Sequence, residues 1–385
     1  MEQLRIIVAG HTGHGKSTII RKLLSETNPS SQDVLSETEH NCDISLEDIA
    51  ESNFRTAKRS YTLLNCANLK SLLRNITTGS IKTDAAILIV DASKGLLNQT
   101  YQYAYLLSMF GIKEIIVVVN KMDLQLYNRI KFWQISEEIS DFLKKLNMHI
   151  ISIIPASAKY GDNITAKSSR MDYTSATLMK SLDYLSAPKN LAQLPLRVIV
   201  QSSLLTDNKT KILAKITSGK LFHGHQLTFG PVHHTTKVLS IEDLAGNEKT
   251  SAEPGESVAI ILEDTNYISR GQVGFNVCHP PLITDLLITE LFWIGAESLK
   301  PGDRIYISCG TDSCSGQIEK ISGIHDPACL EVKFNHVDQV AESQVANVGI
   351  KLASPICIDP FDDLPDLGRF AIFGDNKITG GGIFK

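Results

Sequence analysis

The stretch "GHTGHGKST", Gly10–Thr18, limits the possible folds more than any other part of the chain. It fits G-x-x-x-x-G-K-[ST] and lies between an apolar β-type run, Arg5–Ala9, and a helical run, Ser17–Glu26. The helical run carries Ile19, Ile20, Leu23 and Leu24 at helical spacing. In a loop of this kind backbone N–H groups converge on phosphate oxygens, and Gly10 and Gly15 let the backbone come close. Lys16 is placed to reach β- and γ-phosphates, and the Ser17 hydroxyl to ligate magnesium. The start of the helix adds the positive end of its dipole. The candidate phosphate-binding residues are Gly10, His11, Thr12, Gly13, His14, Gly15, Lys16, Ser17 and Thr18. The loop does not by itself separate ATP from GTP, or a kinase from a hydrolase.

Up to about Leu185 the pattern alternates strand and helix. Ala85–Val90, Ile115–Val119 and His149–Ile154 are short continuous apolar runs with helical stretches between them, which predicts a mostly parallel sheet covered on both faces. Near "LSAPKNLAQLP", Leu185–Pro195, the character changes to short alternating segments punctuated by Gly, Asn and Asp, as in an antiparallel barrel. A second break falls at "CHPPLITD", Cys278–Asp285. The expectation is an α/β phosphate-binding domain over residues 1–187, a linker at 188–194, and two antiparallel β-barrels at 195–279 and 280–385. A length of 385 residues suits two to three domains.

Base choice is addressed by "NKMD", Asn120–Asp123, which follows the strand "IIVVV" where α/β sheets bind ligands. Asp123 can accept from both N1–H and the exocyclic amine of guanine, a pair that adenine lacks. The stem of Lys121 can lie along the base, and Asn120 can tie the loop together. "SAK", Ser157–Lys159, follows another buried strand; the Ala158 N–H can donate to guanine O6 and Ser157 can brace Asp123. With Lys159 these complete a candidate site for GTP or GDP.

P-loop, NKMD and SAK, in this order and ahead of two barrels, resemble the translational GTPase superfamily. Within it the chain is similar to the GTPase subunits of bacterial-type sulfate adenylyltransferases. The segments that carry the similarity are "DAAILIVDASKGLLNQT", "GIKEIIVVVNKMDL", "PASAKYGDNI", "RMDYTSATLMKSLDYL", "LEDTNYISRGQV" and "DPFDDLPDLGRFAIF". The phosphate loop leans instead toward elongation factors, with His11 and His14, although it lacks the Asp those proteins place at Gly13. The resemblance implies a GTP-binding regulatory subunit in a heteromer. Its adenylyltransferase-type catalytic partner would make adenosine 5′-phosphosulfate, so no adenylyl-transfer residue is expected here. A fused adenosine phosphosulfate kinase, present in some members, is not expected after "GGGIFK".

Against that family the chain departs in two places. In "LLNCANL", Asn65 stands where the family has the magnesium-linked Asp of Asp-x-Pro-Gly-His. Asn68 replaces the Gly whose N–H contacts the γ-phosphate, and Leu69 the His that positions water. Upstream, Leu46 stands at the magnesium-binding Thr, with Ser45 one residue away. Water-positioning and charge-stabilising groups supply most phosphoryl-transfer catalysis, so the expectation is GTP or GDP binding with weak or absent hydrolysis. His14, the acids Asp43, Glu47 and Asp48, or a group supplied by a partner are the alternative sources of catalysis.

A net charge of −4 gives no general attraction to nucleic acid or anionic membrane. No apolar run approaches the ~18 residues of a membrane-spanning helix, and "MEQLRIIVAG" lacks the basic n-region of a signal peptide. Seven cysteines at irregular spacing suggest reduced thiols, and the expected location is cytoplasmic. Phe292 and Trp293 are expected in a barrel core, and His233 and His234 in an exposed loop. The competing function is an elongation-factor-like protein that binds aminoacyl-tRNA or the ribosome, favoured by the three-domain plan and the His-bearing loop.

Overall fold

The computed structural model describes residues 3–27, 50–56, 58–79, 82–173, 176–188, 190–206, 209–331, 338–374 and 377–385. These form two compact units, the first holding most of the chain up to Pro188 and the second most of the remainder.

The first unit is built on a six-stranded sheet: β1 (Gln3–Ala9), β2 (Ala50–Arg55), β3 (Ser60–Asn65), β4 (Ala85–Asp91), β5 (Glu114–Asn120) and β6 (His149–Pro155). The strand order is β2-β3-β1-β4-β5-β6. Only β2 runs antiparallel to its neighbour. The all-apolar runs read in the sequence occupy the centre: every residue of β4 is buried, as is β5 beyond Glu114. Strands sandwiched between helices on both faces need no polar face, which is why these segments do not alternate. Helix Lys16–Thr27 buries Ile19, Ile20, Leu23 and Leu24 against Leu4, Ile6 and Val8 of β1. Burial of each such side chain contributes about 1.5–3 kcal/mol.

β2 was not legible in the sequence. Of "AESNFR" only Phe54 is buried, stacked on Tyr61 with ring centroids 5.0 Å apart. An edge strand that packs one side chain carries almost no hydrophobic period.

Among the described residues the second unit is built mainly of strands, with one short 3-10 helix at Leu191–Gln193. β7 (Arg197–Thr206), β8 (Lys209–Ser218), β9 (Leu221–Phe222), β10 (Gln226–Gly230), β11 (His234–Glu242), β12 (Glu248–Lys249), β13 (Ser251–Ala252), β14 (Ser257–Leu262) and β15 (Val273–Phe275) come first. Pairing in the order β10-β15-β7-β8-β14-β11, closed by β10–β11, makes a six-stranded antiparallel barrel. β16 (Leu282–Trp293), β17 (Arg304–Cys309), β18 (Asp312–His325), β19 (Val345–Ile358), β20 (Arg369–Gly374) and β21 (Lys377–Phe384) close a second. Phe292 and Trp293 are both buried, and the Trp293 indole N–H donates to the Glu297 carbonyl at 2.7 Å. His233 sits in the turn before β11 with φ +59°, and only His234 enters the strand.

Within this unit Arg197 and Asp359 form a buried bidentate pair, Nε to Oδ2 and Nη2 to Oδ1, both 2.8 Å. It joins β7 of the first barrel to the chain after β19 of the second. Arg197 Nη1 also donates to the carbonyls of Leu196 and His279, so four of its five N–H groups are paired.

Candidate nucleotide-binding site

Five neighbouring parallel strands end at one edge of the sheet, and each delivers one element of the site. β1 runs into Gly10; β3, β4 and β5 end on Asn65, Asp91 and Asn120; Ser157 lies two residues past β6. In-register pairing sets Val8 beside Asn65, and Asp91 beside Asn120.

The loop Gly10–Thr18 has the conformation its glycines allow. Gly10 has φ +143° and Gly15 φ +98°. A Cβ at Gly10 would lie 2.5 Å from the Ile89 carbonyl oxygen, and one at Gly15 2.3 Å from Asn120 Nδ2. Lys16 Nζ is folded into the loop, donating to the carbonyls of Gly10 at 2.6 Å and His11 at 3.4 Å. Burial lowers its pKa. An ammonium held by carbonyl dipoles alone is stabilised further by an anion, so the loop favours phosphate. Thr12 and Gly13 are exposed at the tip, as are Ser17 and Thr18 at the helix start. The His14 ring is buried, 5.1 Å from that of His11. Burial lowers its pKa, which leaves it neutral at pH 7, with Nδ1 3.3 Å from the Ile89 carbonyl.

Asn120 ties the three motifs together. Its Nδ2 donates to the His14 carbonyl at 2.8 Å, and its Oδ1 accepts from the Ala158 N–H at 3.0 Å. The sequence reading gave that N–H to guanine O6; here it is committed to Asn120. The Ser157 hydroxyl donates to Asp123 Oδ1 at 2.6 Å, which fixes the carboxylate expected to read guanine. Lys121 adopts a left-handed φ of +63° and its Nζ pairs with Asp91 Oδ2 at 2.8 Å. Asp91 had no place in the sequence reading, although an acid closing an all-apolar strand was a signal. Burial raises its pKa, but hydrogen bonds from Lys121 and Ser93 outweigh that and hold the carboxyl below its usual range. Lys159 is exposed, with Nζ 5.2 Å from the Tyr160 ring centroid.

The end of β3 is arranged differently. Asn65 Nδ2 donates to Ser17 Oγ at 3.3 Å, while its Oδ1 is shielded from solvent with no hydrogen-bond partner. The Cys66 N–H donates to the Val8 carbonyl at 3.2 Å, and its thiol to the Asn68 carbonyl at 3.0 Å. Burial pushes the Cys66 thiol up to about 11, so it is not a thiolate at neutral pH. Asn68 starts helix Leu69–Thr77: its Oδ1 accepts from Ser71 N–H at 2.8 Å and its carbonyl from Leu72 N–H at 3.0 Å. This cap was missed, although Asn before an apolar-periodic run is a start signal. Leu69 is the first helical residue and is half-buried. Leu46, Ser45, Asp43, Glu47 and Asp48 lie outside the described residues.

Magnesium in phosphate sites is held by one or two carboxylates together with phosphate oxygens and water. The described residues do not fit it well. Ser17 Oγ receives an N–H from Asn65, so the positive end of an amide dipole faces the place a cation would take. Among the described residues no group of three or more His, Cys, Asp or Glu is positioned to hold a metal. No described helix is long and apolar enough to cross a membrane.

Residues 1–188 match the family described as elongation factor Tu GTP binding domain, and residues 287–385 the family described as GTP-eEF1A C-terminal domain-like. Sulfate adenylyltransferase subunit 1 of Aeromonas hydrophila is 30% identical over 99% of this chain and 85% of its own. Elongation factor 1-alpha of Methanopyrus kandleri is 30% identical over 96% of this chain and 94% of its own.

Proposed function

This chain belongs to the elongation factor Tu-like family of GTP-binding proteins, and from that premise we propose that it is a guanine-nucleotide-binding regulatory or scaffold subunit with weak or absent intrinsic hydrolysis. The nucleotide domain is taken as residues 1–187, and the barrels as 195–279 and 280–385. The phosphate loop holds GTP or GDP, Asp123 reads the base, and Asn120 and Ser157 hold the reading loops in place. The partner is an adenylyltransferase-type catalytic subunit, by analogy with the relative named as a subunit of sulfate adenylyltransferase.

One observation carries the reading. The Asn120 clasp and the Ser157–Asp123 brace are assembled, while β3 ends in an amide bonded to Ser17 and in a helix cap. Groups that recognise base and phosphates are present; groups that position water and stabilise charge at the γ-phosphate are replaced. Loss of one such group commonly costs roughly 10²–10³ in rate, and groups that act as a unit do not lose additively. The residues themselves bind and orient the nucleotide.

The test is guanine-nucleotide affinity beside single-turnover hydrolysis, with and without the protein that co-purifies. Submicromolar GDP binding with no hydrolysis over hours is expected. Turnover matching a family member with an intact Asp-x-Pro-Gly-His sinks the claim of weak hydrolysis, and ATP competing as well as GDP sinks the base assignment. A second reading, an elongation-factor-like protein, rests on the equal identity to elongation factor 1-alpha. Salt-sensitive tRNA binding supports it; co-purification of a catalytic subunit supports the first.

A further inference from the structure

On the reading of this edge as a guanine-nucleotide site, we propose that Asn65 replaces the divalent cation, so that GDP is held without magnesium. Asn65 is fixed on both sides. It pairs with Val8 of β1 and Ala50 of β2, and the next residue donates its N–H to Val8. Its Nδ2 reaches Ser17 Oγ. That oxygen, having accepted from the amide, keeps its own proton for a phosphate oxygen. The serine is thereby turned from a cation ligand into a hydrogen-bond donor. The amide has a second N–H to offer. Lys16, already folded into the loop, supplies the positive charge, and the loop N–H groups and the twelve-residue helix that starts at Lys16 supply the remaining field.

The substitution changes two things at once. A carboxylate at the end of β3 would add negative charge beside the phosphates, and that charge needs a cation to offset it. An amide adds none and directs N–H groups inward. The phosphates therefore meet donors and one ammonium, which is a complete set for a diphosphate. Chelation of magnesium has little to remove.

The experiment is titration of the full chain with fluorescent GDP in magnesium buffer and in excess EDTA. Dissociation constants that agree within fivefold are expected; a weakening of fivefold or more in EDTA overturns the proposal. Asn65→Asp restores a cation-dependent site, with a gap of tenfold or more between the buffers. A gap no larger than in the wild type overturns the assignment to Asn65. Ser17→Ala, which removes only a hydroxyl, weakens GDP by roughly tenfold, the loss of one charge-assisted hydrogen bond, and does so equally in both buffers. A loss seen only with magnesium overturns the donor role. Absence of guanine-nucleotide binding in either buffer overturns the site reading itself, an outcome distinct from binding that requires magnesium.

Discussion

Removal of the Asn120 side chain is expected to loosen the phosphate loop and the base-reading loops together. Asn120→Ala leaves the His14 carbonyl and the Ala158 N–H without their partners at 2.8 and 3.0 Å, both away from solvent. Each orphaned group costs about 1–3 kcal/mol, so the variant loses about 2–6 kcal/mol. That is a large share of the 5–15 kcal/mol that ordinarily stabilises a native protein. Gly15→Ala attacks the same clasp from the other side. Its new Cβ would stand 2.3 Å from Asn120 Nδ2, in a backbone with φ +98°. In the wild type it forfeits the Nδ2–His14 half of the clasp, about 1–3 kcal/mol, and adds about 1–2 kcal/mol of left-handed strain. In an Asn120→Ala background only the strain remains. The double variant is therefore less damaged than the two single losses combined, by roughly 1–3 kcal/mol, the signature of a shared partner. The chain has more than one unit, so whole-protein melting does not isolate this effect. Hydrogen exchange of the β1 and β5 peptides in the full chain reads it locally. GDP titration reads it a second time, with about tenfold in affinity for each 1.4 kcal/mol. Strict additivity, or Asn120→Ala with unaltered exchange, refutes the clasp.

Three further outcomes follow from other contacts. Burial lowers the His14 pKa, so below pH 6.5 the unfolded chain takes up a proton that the folded chain resists. Stability falls as the pH drops from 6.5 toward the lower folded value, and loop-peptide exchange between pH 7 and 5.5 loses that slope in His14→Gln; His325 in β18 acts in the same direction, so whole-chain melting still shows its slope. Arg197→Ala strands the buried Asp359 carboxylate and costs about 3–5 kcal/mol in urea unfolding of the second unit, whereas the double change Arg197→Leu with Asp359→Leu costs clearly less. Asn68→Ala destabilises helix Leu69–Thr77 by about 1 kcal/mol and Asn68→Gly by only a few tenths, measured by exchange of that helix.

The sequence was most informative where function lies in side chains at strand ends. Lys16, Asp123 and Ser157 were placed by their motifs, because strand, turn and helix surround each in the required order. The Asn120 clasp was legible in only half its content. Its partners are the backbone of His14 and Ala158, and backbone groups leave no mark on residue identity. That is why the Ala158 N–H was assigned to guanine. Asn68 was legible in a different sense from the one first given. Measured against the family it is a lost glycine; measured against helix chemistry it is a cap that Ser71 and Leu72 use. Both barrels were visible as alternation, but the Arg197–Asp359 pair spans 162 residues and has no local signature.

The turn from Asn65 to Asn68 bears on how a signal passes through such a molecule. A conformational toggle needs two arrangements of nearly equal free energy, and moving it from one part in a hundred to ninety-nine takes about 5.5 kcal/mol of differential binding. This turn is anchored by Cys66 N–H to Val8, by Ser71 N–H and Leu72 N–H to Asn68, and by the Cys66 thiol. At about 0.5–1.5 kcal/mol for each N–H bond, release of all three adds roughly 1.5–4.5 kcal/mol to the cost of any second arrangement. A ligand whose extra phosphate finds no glycine N–H and no carboxylate-bound cation at this turn gains little there to set against that cost. On the proposed reading, the segment therefore keeps one arrangement whether two or three phosphates fill the pocket.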